Sequence, residues 1–194
     1  MKINEVNGCL ISMALKNKFD VIAHGVNCFC TQKSGLAPQM VEAFGTDKFE
    51  KEKQFETNEW YDDGLMGYRE EKIPTNNKGD INKLGTIDFQ TKYIWSTHPS
   101  GNPVAMNHKS PNQKGVFDLI IVNAYTQYRY GTGLHLDYEA LTLCMRKINH
   151  QFKGMHIGLP KIGSLRAGGD WNKIKAIIEK ELKDCQVTIV HYEG

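Results

Sequence analysis

The sequence predicts an α/β fold with a mainly parallel central sheet, on two observations. Short β-branched apolar runs alternate along the chain with stretches of helical periodicity. The runs are continuously apolar, which suits strands covered on both faces. The length, 194 residues, fits one domain over 1–194 with room for an insertion.

Four runs read as strands: Asp20 to His24, Phe117 to Asn123, Met155 to Leu159 and Gln186 to His191. Lys2 to Val6 and Lys92 to Trp95 are weaker candidates. Leu36, Met40 and Phe44 fall at i, i+4, i+8 and predict a helix. Tyr138, Leu141, Met145, Ile148 and Phe152 follow helical spacing behind Asp137, a residue suited to the N-cap. Ile174, Ile177, Ile178 and Leu182 repeat the pattern behind Asp170. The stretch from Thr46 to Gly115 is rich in Lys, Glu, Asp, Asn and Pro, and only Leu84 to Trp95 looks capable of strand pairing. It reads as an insertion and connecting loops, at about 46–115, rather than a second domain.

Lys and Arg total 24 against 22 Asp and Glu, a net charge of +2 with no basic run longer than two residues. That argues against a dedicated duplex nucleic-acid binder, which concentrates positive charge, but leaves room for an anionic small ligand. The five cysteines (Cys9, Cys28, Cys30, Cys144 and Cys185) are an odd number without a secretory signal, so a reducing cytoplasm is expected. Leu119 to Val122, the most apolar stretch, is far too short to span a bilayer, so no membrane partner is expected.

Two glycine-containing loops carry the chemistry. The first runs from His24 to Met40, leaving a buried strand and entering a helix that begins near Ser34. Its polar atoms would sit at the carboxyl edge of the sheet, where open α/β folds place ligands. The helix N-terminus behind it favours a phosphate, and Gly35 lets one approach the backbone. An ordinary strand-to-helix turn is the competing reading. The second loop, Pro160 to Trp171, repeats the logic with Gly163, Gly168 and Gly169. It is neither a Walker A loop nor a G-x-G-x-x-G turn. Two cradles suggest a ligand with two phosphates.

Three linked motifs, His24-Gly-Val-Asn-Cys-Phe-Cys-Thr with Ser34-Gly-Leu-Ala, Asn123-Ala-Tyr-Thr-Gln-Tyr-Arg-Tyr-Gly131, and Pro160-Lys-Ile-Gly with Ala167-Gly-Gly-Asp-Trp171, resemble the macrodomain family. The resemblance is nearest to the short stand-alone members of bacteria and phages called ADP-ribose-1''-phosphate phosphatase-like. It implies a three-layer α/β/α sandwich with a mainly parallel mixed sheet, and ADP-ribose or a derivative as ligand. For a phage-carried chain the place would be the host cytoplasm.

Carried onto this sequence, the resemblance puts the first loop, with Gly25, Val26, Asn27, Lys33, Ser34, Gly35 and Leu36, against the distal ribose. Asn123, Tyr125 and Gln127 follow the middle strand. Gly163, Ser164, Leu165, Arg166, Ala167, Gly168 and Gly169 would wrap the diphosphate, with Tyr192 near adenine. The chain departs from the family at Cys9, where many members carry an adenine-binding Asp, at Leu165 in place of a small residue, and at Lys33 in place of glycine.

The resemblance also bounds the reaction. One deacylating branch uses a Lys and an Asp where this chain has Gln127 and Ala167, and an amide cannot form the adduct an amine can. Metal-independent hydrolysis at the distal ribose C1'', of a phosphate or an ADP-ribosyl bond, is then expected, with a non-catalytic ADP-ribose-binding module as the alternative. Asn27 would orient the ribose, and His24 or Asp170 would serve as base; His24 can equally be structural and Asp170 an N-cap. Cys28 and Cys30 lack the companions that zinc requires, so no metal or cofactor is expected. Tyr128-Arg129-Tyr130-Gly131 either lines the distal end of the cleft or packs on the insertion.

Overall fold

The computed structural model describes residues 3–49, 78–109, 114–131 and 133–192. Part of the expected insertion, residues 50–77 and 110–113, lies outside the described residues. The elements in chain order are β1 (Asn4–Asn7), α1 (Leu10–Leu15), β2 (Val21–Asn27), α2 (Ala37–Phe44), β3 (Ile87–Trp95), β4 (Val104–Met106), β5 (Val116–Gln127), α3 (Tyr138–Gln151), β6 (His156–Pro160), α4 (Trp171–Glu181) and β7 (Gln186–His191).

The strands form one mixed seven-stranded sheet in the order β1-β7-β6-β2-β5-β3-β4. β1, β7, β6, β2 and β5 are parallel, while β3 runs antiparallel to β5, and β4 antiparallel to β3. The apolar runs earn their place at the centre. Val21, Ile22 and Ala23 of β2 have no exposed surface, with Val21 and Ala23 packed toward α3 and α4 and Ile22 toward α1 and α2. The result is a three-layer α/β/α sandwich, the class the sequence predicts.

Helical periodicity sets which faces are buried. Leu141, Met145 and Ile148 of α3 and Ile174 and Ile178 of α4 cover one side of the sheet. Met40 and Phe44 of α2, with Leu10 and Ala14 of α1, cover the other. Truncating any fully buried member such as Ile148 to Ala costs about 2–5 kcal/mol, from lost transfer energy and the cavity left behind. α3 starts where Asp137 accepts from Ala140 N at 2.9 Å, and α4 where Asp170 accepts from Asn172 N at 2.8 Å. Arg146 of α3 grips the carboxylate of Glu181 on α4 through Nε and one terminal nitrogen, at 2.9 and 3.1 Å.

α2 begins at Ala37, three residues after the expected start at Ser34. Gly35 adopts a left-handed φ of 64°, which breaks helical continuity before Leu36, and Pro38 then sets φ for the first turn. α1 and β4 have no counterpart in the sequence reading. Both are too short for periodicity to register, at six and three residues.

Candidate functional site

β2 and β6 are sheet neighbours, paired through Val21 with Ile157 and Ile22 with Gly158. Both run in the same direction, so the loops that follow them emerge side by side. The first, residues 28–36, enters α2; the second, residues 161–170, enters α4. They approach each other closely enough that a Cβ on Gly35 would lie 3.7 Å from Cδ of Arg166. Exposed Lys33, Ser34, Gly35, Leu165 and Arg166 thus border one region at the carboxyl edge of the sheet, joined by half-buried Leu36, Gly163 and Ser164.

The first loop is shaped from within. Asn27 is 5% exposed, and its side chain is turned into the loop rather than out of it. Its Nδ2 donates to Thr31 O at 2.8 Å, while Oδ1 accepts from Phe29 N at 3.1 Å and Thr31 N at 3.2 Å. Such an Asx arrangement substitutes side-chain for backbone partners at a corner where no ladder continues. Cys30 sits at that corner with φ 55°, an uncommon value for a residue with a Cβ.

His24 lies three residues earlier in β2. It is 2% exposed, and its Nε2 is 2.7 Å from Asn123 Oδ1. Asn123 Nδ2 donates to Thr46 O at 2.9 Å, which fixes the amide and leaves its oxygen facing the imidazole. Nε2 must therefore carry the proton and donate. Burial penalises the imidazolium and depresses the His24 pKa to about 4; the Asn123 contact opposes that only in part. His24 is consequently a neutral hydrogen-bond donor at physiological pH. Asn123 and Tyr125, both interior, continue the same face of β5, and Tyr125 Oη donates to Asp88 Oδ2 at 2.7 Å. Gln127, half-buried at the strand end, donates to Arg129 O at 2.9 Å.

The second loop is anchored to the segment leading into α3. Ala167 O accepts from His135 N and Leu136 N at 2.9 and 3.1 Å. Gly168 takes a left-handed φ of 69°, and a Cβ there would stand 2.7 Å from Gly133 O. A Cβ on Gly169 would meet Leu136 Cδ2 at 2.4 Å and Gly163 O at 2.8 Å. These glycines are required by close backbone approach. Asp170 O–N-capping fixes the exit into α4, and Gly169 N closes the loop onto Gly163 O at 2.9 Å.

Aromatic groups flank the region at both ends. Tyr128 and Tyr130 meet Phe29 edge-on at centroid distances of 5.5 and 5.9 Å, beside the first loop. Trp171 lies under the Lys161 ammonium at 5.4 Å and edge-on to His191, next to exposed Tyr192. Val26, Ala167 and Gly169 are buried, and Gly25 is half-buried with no room for a side chain beside Thr126 Oγ1 and Ile162.

Sequence reading missed a polar group beside the first loop. Lys83, 1% exposed, donates to Cys30 Sγ at 3.4 Å, and Cys30 Sγ lies 3.9 Å from Tyr125 Oη. A lysine in a charged, Asn-rich stretch reads as solvated; the signal was its position just before a strand that pairs with β5. Among the described residues no group of three or more His, Cys, Asp or Glu is placed to hold a metal ion, and no helix is long and apolar enough to cross a membrane.

This architecture matches solved structures across nearly the whole chain. The macrodomain of Thermus aquaticus DarG superimposes with a TM-score of 0.55 and 15% identity, covering 100% of this chain and 99% of that one. The Thermosipho africanus DarTG structure in complex with ADP-ribose matches at a TM-score of 0.56 and 12% identity, covering 99% of this chain and 42% of that one. The fold is the macrodomain fold. In sequence, the chain is 26% identical over 197 residues to an uncharacterised 17.5 kDa protein of the tk-vs intergenic region of Enterobacteria phage T4, covering 100% of this chain and 98% of that protein. No protein-family model matches. Within the macrodomain fold of this chain, the two loops come together at Gly35 and Arg166.

Proposed function

We propose that this chain binds ADP-ribose, or a derivative substituted at its distal ribose, in the region between residues 28–36 and 161–170. The observation that carries the reading is the adjacency of the two loops over parallel neighbours β2 and β6, each leading into a helix N-terminus. Two helix N-termini, each with a positive dipole end and first-turn N–H groups that make no intrahelical bond, then stand behind neighbouring loops, an arrangement suited to a diphosphate. Arg166 supplies a cation, and Lys33 adds a second on the first loop. The DarTG structure, which was determined in complex with ADP-ribose, shares the fold and supports the choice of ligand.

The enzymatic form of this reading is metal-independent hydrolysis at C1'' of the distal ribose, releasing phosphate or an ADP-ribosylated group. The second form, binding without turnover, is favoured by a specific observation. Asn27, His24 and Asp170 are all engaged in hydrogen bonds that shape the loops: to the backbone of Phe29 and Thr31, to Asn123, and to Asn172 N. Calorimetric titration with ADP-ribose beside phosphate release from ADP-ribose 1''-phosphate tests both forms. Binding with release supports the hydrolase. Binding without release supports the module, and no binding refutes the ligand.

A further inference from the structure

Cys30 and Lys83 come together from distant parts of the chain. The Lys83 side chain runs inward from the turn before β3, buried to within 1% of its surface, and its Nζ donates to Cys30 Sγ at 3.4 Å. The same ammonium stands 5.9 Å from the Tyr125 ring centroid, and the Tyr125 hydroxyl lies 3.9 Å from the sulfur while donating to Asp88. A thiol held against a buried ammonium is placed to carry negative charge on sulfur; the Tyr125 hydroxyl gives its one proton to Asp88, whose carboxylate opposes that charge from farther away. Cys30 is half-exposed, within reach of a small solute. Its companions differ: Cys28, Cys144 and Cys185 are buried, and burial pushes the Cys144 thiol up to about 12 and the Cys185 thiol upward. Cys9 is half-exposed like Cys30 and provides an internal reference.

We propose that Cys30 is a peroxide-reactive modification site, its thiolate promoted by Lys83, and that oxidation there displaces the first loop. The sulfur attacks one oxygen of hydrogen peroxide; an S–O bond forms as the O–O bond breaks. The departing hydroxide takes up a proton and leaves as water. Cysteine plus hydrogen peroxide thus gives sulfenic acid plus water, with sulfur oxidised by two electrons and peroxide reduced by two. An external thiol returns the sulfenic acid to cysteine through a mixed disulfide. The added oxygen must fit where Lys83 Nζ and Tyr125 Oη already crowd the sulfur, at a corner with left-handed φ that Asn27 holds through Phe29 and Thr31. The thiol chemistry stands independently; its effect on ligand binding rests on the ADP-ribose reading.

The test is site-resolved alkylation by iodoacetamide across pH 5 to 9, read by mass spectrometry of the Cys30 and Cys9 peptides. The expected result is a lower midpoint for Cys30 than for Cys9, and a rise in the Cys30 midpoint in Lys83→Met with unchanged far-ultraviolet circular dichroism. A midpoint one unit lower gives about a threefold faster peroxide reaction near neutral pH, since a tenfold gain in thiolate is offset by its weaker nucleophilicity. Dimedone trapping after peroxide should show that excess at Cys30. Equal midpoints for Cys30 and Cys9 overturn the proposal, as does a midpoint that Lys83→Met leaves unmoved. Where Lys83→Met fails to fold, the comparison of Cys30 with Cys9 in the unaltered chain decides alone. ADP-ribose titration before and after peroxide should show weaker binding that reductant restores and that Cys30→Ser does not show. Undiminished binding by a chain trapped as the Cys30 sulfenic acid overturns the loop displacement. Absence of ADP-ribose binding in the reduced chain refutes the ligand instead, and the alkylation midpoints still decide the thiol.

Discussion

His24 Nε2 and Asn123 Oδ1 lie 2.7 Å apart across the β2–β5 pair, and Asn123 hands the contact on to the Thr46 carbonyl at 2.9 Å. The relay ties two central strands to the turn that follows α2. It also makes stability pH-dependent. The folded pKa of about 4 is below the ordinary value of 6.5, so the unfolded chain takes up the proton first as pH falls. Stability is full above pH 6.5 and is lost progressively down to about pH 4, by about 2 kcal/mol between pH 7 and 5. Urea unfolding at the two pH values should show this loss, and His24→Gln, whose amide donates without titrating, should show less of it. Equal losses in both proteins would rule out His24 as the origin.

Much of this was legible in the sequence because burial leaves a pattern. The runs around Val21, Ile120 and Ile189 had to be covered strands, and the spacing of Leu141, Met145 and Ile148 could serve only a helix with one buried face. The loops were legible as well, since Gly163, Gly168 and Gly169 in one short span signal close backbone approach. What stayed hidden were side chains acting against type. Lys83 and Lys92 are buried, Lys92 with its ammonium on Gln90 Oε1 and Asn107 Oδ1 and over the Phe49 ring. No local pattern announces that Lys83 meets Cys30, 53 residues away. Asn27 carries the same lesson in the first loop: the resemblance directs its amide to a ribose, and no local pattern announces the bonds it makes to Phe29 and Thr31.

Arg166 is the residue through which the second loop reaches the first, over Gly35. An exposed guanidinium there has little to do for folding, and a charge-assisted hydrogen bond to a phosphate contributes about 1.5–3 kcal/mol. Arg166→Ala should weaken ADP-ribose binding by about ten- to a hundredfold by calorimetry, at 1.4 kcal/mol per decade, with an unchanged melting temperature. An unchanged affinity would place the diphosphate elsewhere.

Gly168 tests the second loop from its underside. A methyl group would meet the Gly133 carbonyl at 2.7 Å, a backbone atom that cannot rotate away, at a φ of 69° that costs L-residues about 1–2 kcal/mol. With overpacking added, Gly168→Ala should destabilise the fold by about 2–4 kcal/mol and weaken ADP-ribose binding more than Arg166→Ala at equal folded fraction. A denaturation midpoint equal to that of the unaltered chain would mean the 133–136 segment yields.

A pair of substitutions separates the cap role of Asp170 from a role in the reaction. As N-cap it accepts from Asn172 N, and removing it in Asp170→Ala should cost about 1 kcal/mol. Serine caps nearly as well as aspartate but offers no carboxylate. Asp170→Ser should therefore keep the melting temperature of the unaltered chain within a degree or two, in the range where about 1 kcal/mol shifts it by 2–4 °C. A residue serving only as cap leaves both ADP-ribose affinity and any phosphate release intact in the serine variant, and that is the outcome expected from its hydrogen bond. Loss of release at full stability would instead assign the carboxylate to the reaction, and with it the choice between hydrolase and binding module.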